Sequence, residues 1–116
     1  MKMLSMLKGG LNMKIEKVKA EYTGGGIYCF MGKLEDNYFL ADCDMMASWY
    51  DLRIINVDPE LYDSDDVWDD GWQTKHFVKD VCRCKTFMKD MFRWIINNRP
   101  DGNYLVDDIE DMLRRL

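Results

Sequence analysis

Two short polar breaks, Gly24-Gly25-Gly26 and Glu35-Asp36-Asn37, cut the first half of this chain into strand-length apolar runs. That spacing is the tightest constraint on its fold. From Met13 to Tyr22 the sequence MKIEKVKAEY alternates apolar and charged residues, with a change of phase between Ile15 and Val18 that predicts a half-exposed strand carrying a bulge. The glycines supply a turn without steric restriction, and Ile27 to Leu34 follows as a second strand. Glu35-Asp36-Asn37 closes a tight hairpin into a third strand, Tyr38 to Ala41. Leu52 to Val57, rich in β-branched residues, makes a fourth strand that Asp58-Pro59 ends. An antiparallel meander of about four strands is expected.

Beyond Pro59 the signals turn helical. Ser64 is a candidate N-cap with Asp65 and Asp66 in the first turn, where carboxylates favour the helix dipole, until Gly71 interrupts. Phe77, Val81, Cys84, Met88, Met91 and Ile95 recur at steps of four and three, which predicts a helix from Thr74, as cap, to Asn98. A competing reading makes His76 to Val81 a short strand and starts the helix near Arg83. Asn97 to Gly102 reads as a stop. A final helix from Leu105 to Leu116 carries Leu105, Ile109, Met112, Leu113 and Leu116 on one side. The expected fold is therefore α+β, a small antiparallel sheet covered by two or three C-terminal helices.

No repeat or linker divides the chain, and 116 residues suit one domain. Lys8-Gly9-Gly10, a few codons before Met13, is what a purine-rich ribosome-binding site reads as when translated. Residues 1–12 are thus expected to be an extension preceding a true start at Met13, the domain occupying 13–116; the alternative is an amphipathic N-terminal helix using Met3, Leu4, Met6 and Leu7. No apolar run nears the roughly 20 residues that span a bilayer, so the default location is the cytoplasm.

A formal charge of −5 argues against direct contact with nucleic acid or anionic membrane and favours a protein partner with a basic surface. The acidity concentrates in Asp58 to Trp72, where Asp58, Glu60, Asp63, Asp65, Asp66, Asp69 and Asp70 interleave with Leu61, Tyr62, Trp68 and Trp72. Large aromatics anchor interfaces and carboxylates steer basic partners, so this segment is the candidate contact surface, with Trp68 and Trp72 four apart on one helical face and the acids as its rim. The bland alternative has both indoles covering the sheet. A second functional reading is nucleic-acid mimicry, with Asp65 and Asp69, and Asp66 and Asp70, about 6 Å apart along a helix.

Chemistry-bearing constellations are sparse. The triple glycine lacks the Lys-Ser/Thr of a phosphate loop and precedes a strand, so a hairpin turn is the preferred reading. His76, Cys82 and Cys84 offer zinc donors, but Cys82-Arg83-Cys84 points its thiols to different sides of a helix; burial of Cys84 with exposure of Cys82 is the alternative. The four cysteines fit no disulfide framework and are expected to be reduced. Asp42, Asp44 and Asp51 lack the ladder of a calcium loop and read as solvated turns. His76, the single histidine, has no nucleophile motif beside it; an enzyme would need a pocket gathering it with Asp42 or Asp44. Arg83, Lys85, Lys89 and Arg93 form a basic helix side, read as an intramolecular complement to the acidic block or a solvated face. No catalytic residue, metal or cofactor is expected.

Tyr22 to Tyr28 (YTGGGIY), Gly32 to Leu34, Tyr38 to Asp42, Asn56 to Glu60, and Trp72 with His76 to Val78 resemble segments of small uncharacterised proteins of gut bacteria and their phages or mobile elements. The resemblance spans most of Met13 to Gly102. It implies a stand-alone domain with no catalytic residues to carry over, and a host-directed interaction or inhibition.

Overall fold

The computed structural model describes residues 14–69, 71–99 and 105–116, so the N-terminal extension expected over residues 1–12 lies outside the described residues. Five strands form one antiparallel sheet in the order β1-β2-β3-β4-β5: β1 (Ile15–Gly24), β2 (Ile27–Leu34), β3 (Asn37–Asp44), β4 (Trp49–Ile55) and β5 (Thr74–Val78). Helix α1 (Ser64–Val67) is short and lies between β4 and β5, while α2 (Val81–Asn98) and α3 (Val106–Arg115) follow the sheet. The α+β fold matches expectation with one strand more.

The meander follows its turn chemistry. Gly25 and Gly26 take φ of 63° and 85° between the paired Gly24 and Ile27, a two-residue loop with both angles positive that glycine enters without strain. Lys17 is the bulge inferred from the phase change, with φ 54° and a register shift between Glu16 and Lys19. A bulge and lysines on an edge strand also blunt pairing with other sheets. At the β2–β3 hairpin the Glu35 backbone N–H donates to the Lys14 carbonyl at 3.0 Å, and its carboxylate accepts from the Lys14 N–H at 3.0 Å. The hairpin tip is thereby tied to the start of β1.

Alternation along the strands gives the sheet two unlike faces. Phe30 and Leu34, Phe39, Ala41 and Cys43, Leu52 and Ile54, and Val78 turn toward α2 and α3, meeting Cys84, Phe87, Met88, Met91, Phe92, Ile95, Ile109 and Met112 in the main core. Leu113 and Leu116 flank it, as the stripe on the final helix predicts. The opposite face carries Leu40 and Ile55 and is covered by residues 58–69 and 71–73, a strap that includes α1.

The predicted helix from Thr74 is overturned, for Thr74–Val78 is the edge strand β5 and α2 begins at Val81. The competing reading of a strand before the helix is the nearer one. Asp80 decides the boundary: its Oδ1 accepts from the N–H groups of Cys82 and Arg83 at 2.9 and 3.3 Å, satisfying donors that the first turn leaves open. Phe77 extends the helical period but lies in β5, and Val81 opens α2; they are 36% and 56% exposed, so neither belongs to the buried stripe. Asp80→Ala is expected to lower stability by about 0.5–2 kcal/mol while Asp80→Asn is nearly neutral, an ordering that urea denaturation midpoints check. The predicted stop holds, with Arg99 in the left-handed region (φ 46°) and its N–H donating to Ile95 at 2.7 Å.

Candidate partner-binding surface

The strap is built from local caps. Asp58 accepts from the Glu60 N–H at 3.0 Å and starts a 3-10 turn, Pro59–Leu61; Asp63 accepts from the Asp65 N–H at 2.9 Å and starts α1. Asp63, not Ser64, is therefore the N-cap, and Asp65 and Asp66 fall in the first turn as expected. Part of the acidity is helix chemistry: Asp58 and Asp63 cap turns, and Glu60 pairs with Lys19 at 3.4 Å.

The helical placement of the tryptophans is corrected by the length of α1. The helix ends at Val67, Trp68 is its C-cap, and Trp72 sits in the turn after Gly71, whose φ is 77°. Both indoles pack instead over Leu40, Ile55 and Val67, together with Met31 and Tyr38. The carboxylate ladder that motivated nucleic-acid mimicry needs a helix running through Asp69, and this chain does not form one there; Asp70 lies outside the described residues.

Beneath the strap lies a group that sequence reading missed. Arg53 is 3% exposed, with Nη1 donating to the Asp69 carbonyl at 2.9 Å and Nε 3.7 Å from the Asp51 carboxylate. Its guanidinium carbon stands 5.9 Å from the centre of the Trp68 ring and 6.0 Å from that of Phe77, within cation–π reach of both. One cation inside the apolar run Leu52 to Val57, followed by an acidic-aromatic segment, was the available signal.

On the outer side, Leu61 is 78% exposed and Tyr62 47%, and the Tyr62 ring meets Trp72 edge-on at 5.2 Å and 74°. Asp63, Asp65, Asp66 and Asp69 of the same segment are also exposed. The outer strap thus presents an apolar-aromatic centre with an acidic border. Leu61 and Tyr62 are its exposed apolar side chains, Tyr62 resting on Trp72, whereas Trp68 packs on the Leu40, Ile55 and Val67 cluster.

The other constellations do not assemble. His76 pairs with Ile54 on the helix-facing side, while Asp42 pairs with Asp51 on the strap side, so the sheet stands between the histidine and that carboxylate. Asp44 accepts from the Met46 and Ala47 N–H groups at 3.0 and 3.1 Å, holding the β3–β4 turn. Cys84 is buried with its thiol donating to the Val78 carbonyl, and Cys82 is exposed. Among the described residues no group of three or more His, Cys, Asp or Glu is placed to hold a metal. The basic side of α2 lies at the surface with local partners, Arg93 on Asp90 at 3.3 Å, Arg83 by Asp80 at 4.0 Å and Lys85 over the Tyr50 ring at 5.8 Å. A cavity of about 80 Å³ beside the strap is lined by Lys17, Lys33, Tyr38, Asp58 and Glu60; two cations against two anions give it no preferred sign of ligand.

No described helix is long and apolar enough to cross a membrane. Comparison with protein-family models, curated proteins and solved structures finds no match to this chain, so its own residues carry the functional reading.

Proposed function

We propose that this chain is a non-enzymatic protein–protein interaction module whose contact surface is the outer strap, with Leu61 and Tyr62 as its centre and Asp63, Asp65, Asp66 and Asp69 as its rim. The observation that carries the reading is Leu61, 78% exposed beside a half-exposed Tyr62 braced on Trp72. A large aliphatic side chain left in water at the middle of a folded segment costs nothing to cover and gains about 1.5–3 kcal/mol when a partner buries it. Carboxylates around it steer a basic partner and depress binding by other acidic proteins. The partner is thus a protein with a basic surface, and four free thiols suit a reducing cytoplasm.

Affinity capture from a bacterial lysate tests this. The wild-type chain is expected to retain a protein whose recovery falls about tenfold or more with Leu61→Asp or Tyr62→Ala and declines as salt rises. Equal recovery by Leu61→Asp would remove the surface from consideration. If added DNA competes and only charge reversal at Asp65, Asp66 and Asp69 abolishes capture, the mimic reading replaces it.

A further inference from the structure

We infer that the strap is a separately opening unit and that Arg53 is its latch, the positioning residue that holds the outer contact surface in place. The hydrogen bonds within the strap are all local: Leu61 N–H to Asp58, Tyr62 to Pro59, Val67 to Asp63, Asp69 to Asp66, Trp72 to Asp69 and Thr74 to Gly71. Its polar ties to the sheet include the Arg53–Asp69 hydrogen bond and the exposed Lys19–Glu60 ion pair. An exposed pair of that kind contributes little. The apolar footing is equally slight, for the second core has Leu40, Ile55 and Val67 fully buried, against nineteen buried residues in the core below the helices. A segment with local hydrogen bonds and a small core opens at lower free energy than the sheet it covers.

Arg53 is the only buried charged residue among those described. Burying a guanidinium is costly, and an apolar side chain of similar length would fill the same space without that cost. What the guanidinium supplies is direction: a donor aimed at the Asp69 carbonyl where α1 has already ended, and a flat cation between Trp68 and Phe77. It fixes the strap at Asp69, whose carbonyl also accepts from the N–H of Trp72, the residue whose ring meets Tyr62. Opening would displace that centre and uncover Leu40 and Ile55. The inference builds on the contact-surface reading for its purpose, but the latch itself is measured without any partner.

Hydrogen exchange on the full chain tests it, comparing wild type with Arg53→Met and Arg53→Lys. In both variants the amides of Tyr62, Val67, Asp69 and Trp72 are expected to exchange about ten to a hundredfold faster, while those of β2, β3 and α2 change little, and Trp68 fluorescence shifts to the red. Lysine keeps the charge but not the planar fork, so it does not rescue. Equal acceleration everywhere, or unchanged strap exchange, would overturn the latch. Should Arg53→Met not fold, Phe77→Leu removes one ring of the stack and reads the same quantity. Normal strap release with unimpaired partner capture by Leu61→Asp would defeat the contact surface and leave the latch standing.

Discussion

Phe39→Ala is expected to destabilise the domain by about 3–5 kcal/mol, a large share of the roughly 5–15 kcal/mol that holds a domain of this size. Phe39 is fully buried on β3 and meets the Phe87 ring edge-on at 4.9 Å, joining sheet to α2. The same ring lies across its strand partner Gly32: a Cβ there would stand 2.7 Å from Cε2 and 2.8 Å from Cζ of Phe39, and 3.1 Å from the Glu16 carbonyl. Gly32→Ala alone is therefore expected to cost about 1–3 kcal/mol by overpacking. In the Phe39→Ala background that cost shrinks, because the ring it collides with is gone. Urea denaturation of the wild type and the three variants closes the cycle, and additive losses would show that the two residues do not share one space.

Alkaline pH is the second large lever. Burial, followed by the charge of Asp42, pushes the Cys43 thiol from its ordinary 9.0 up to about 12. Burial and Asp42 likewise raise Cys29 to about 11, and burial with Asp51 and Asp80 raises Cys84 to about 11. Tyr28, raised from 10.0 to about 12, owes this to burial and to the hydrogen bond its hydroxyl donates to Asp108 at 3.1 Å. Each group stays protonated in the fold at pH values where the unfolded chain has lost the proton. Their contribution is fully present below about pH 9 and is lost as pH rises through about 11–12. Urea midpoints under reducing conditions are expected to be flat from pH 7 to 9 and to fall steeply above, less steeply in Cys43→Ala. A midpoint constant to pH 10.5 would contradict the burial of these thiols.

What could be read from the sequence was what neighbouring residues decide between themselves. The glycine turn, the Lys17 bulge, the hairpin at Glu35 and the apolar side of α3 depend on local backbone preference or on a period within one element. The start of α2 was misread because Phe77 extends a helical period that the Asp80 cap cuts off, and because Thr74, His76 and Val78 alternate over too short a span to compete with it. The tryptophans illustrate the other limit. Their spacing of four means one face only if a helix runs through both, and α1 stops at Val67, with both indoles packed on the sheet beneath. Arg53 sits in phase with Ile55, a position whose burial depends on a segment that returns over it later in the chain. Which of the aromatic and aliphatic side chains of this segment meet water was equally illegible, since the exposure of Leu61 and Tyr62 and the packing of Trp68 and Trp72 on Leu40, Ile55 and Val67 follow from that return.

The nearest-neighbour strand order also dictates how the chain assembles. β1 through β4 are joined by loops of a few residues, whereas β4 and β5 are separated by residues 56–73, most of which form the strap. Closing that longer loop costs about 2 kcal/mol more conformational entropy than closing a two-residue hairpin. The first four strands are therefore expected to zip in chain order and β5 to add last, carrying the strap across the second face as it docks. On that order the strap is the final knot of the folding reaction, and the slowest phase in refolding kinetics is expected to report on it rather than on the meander.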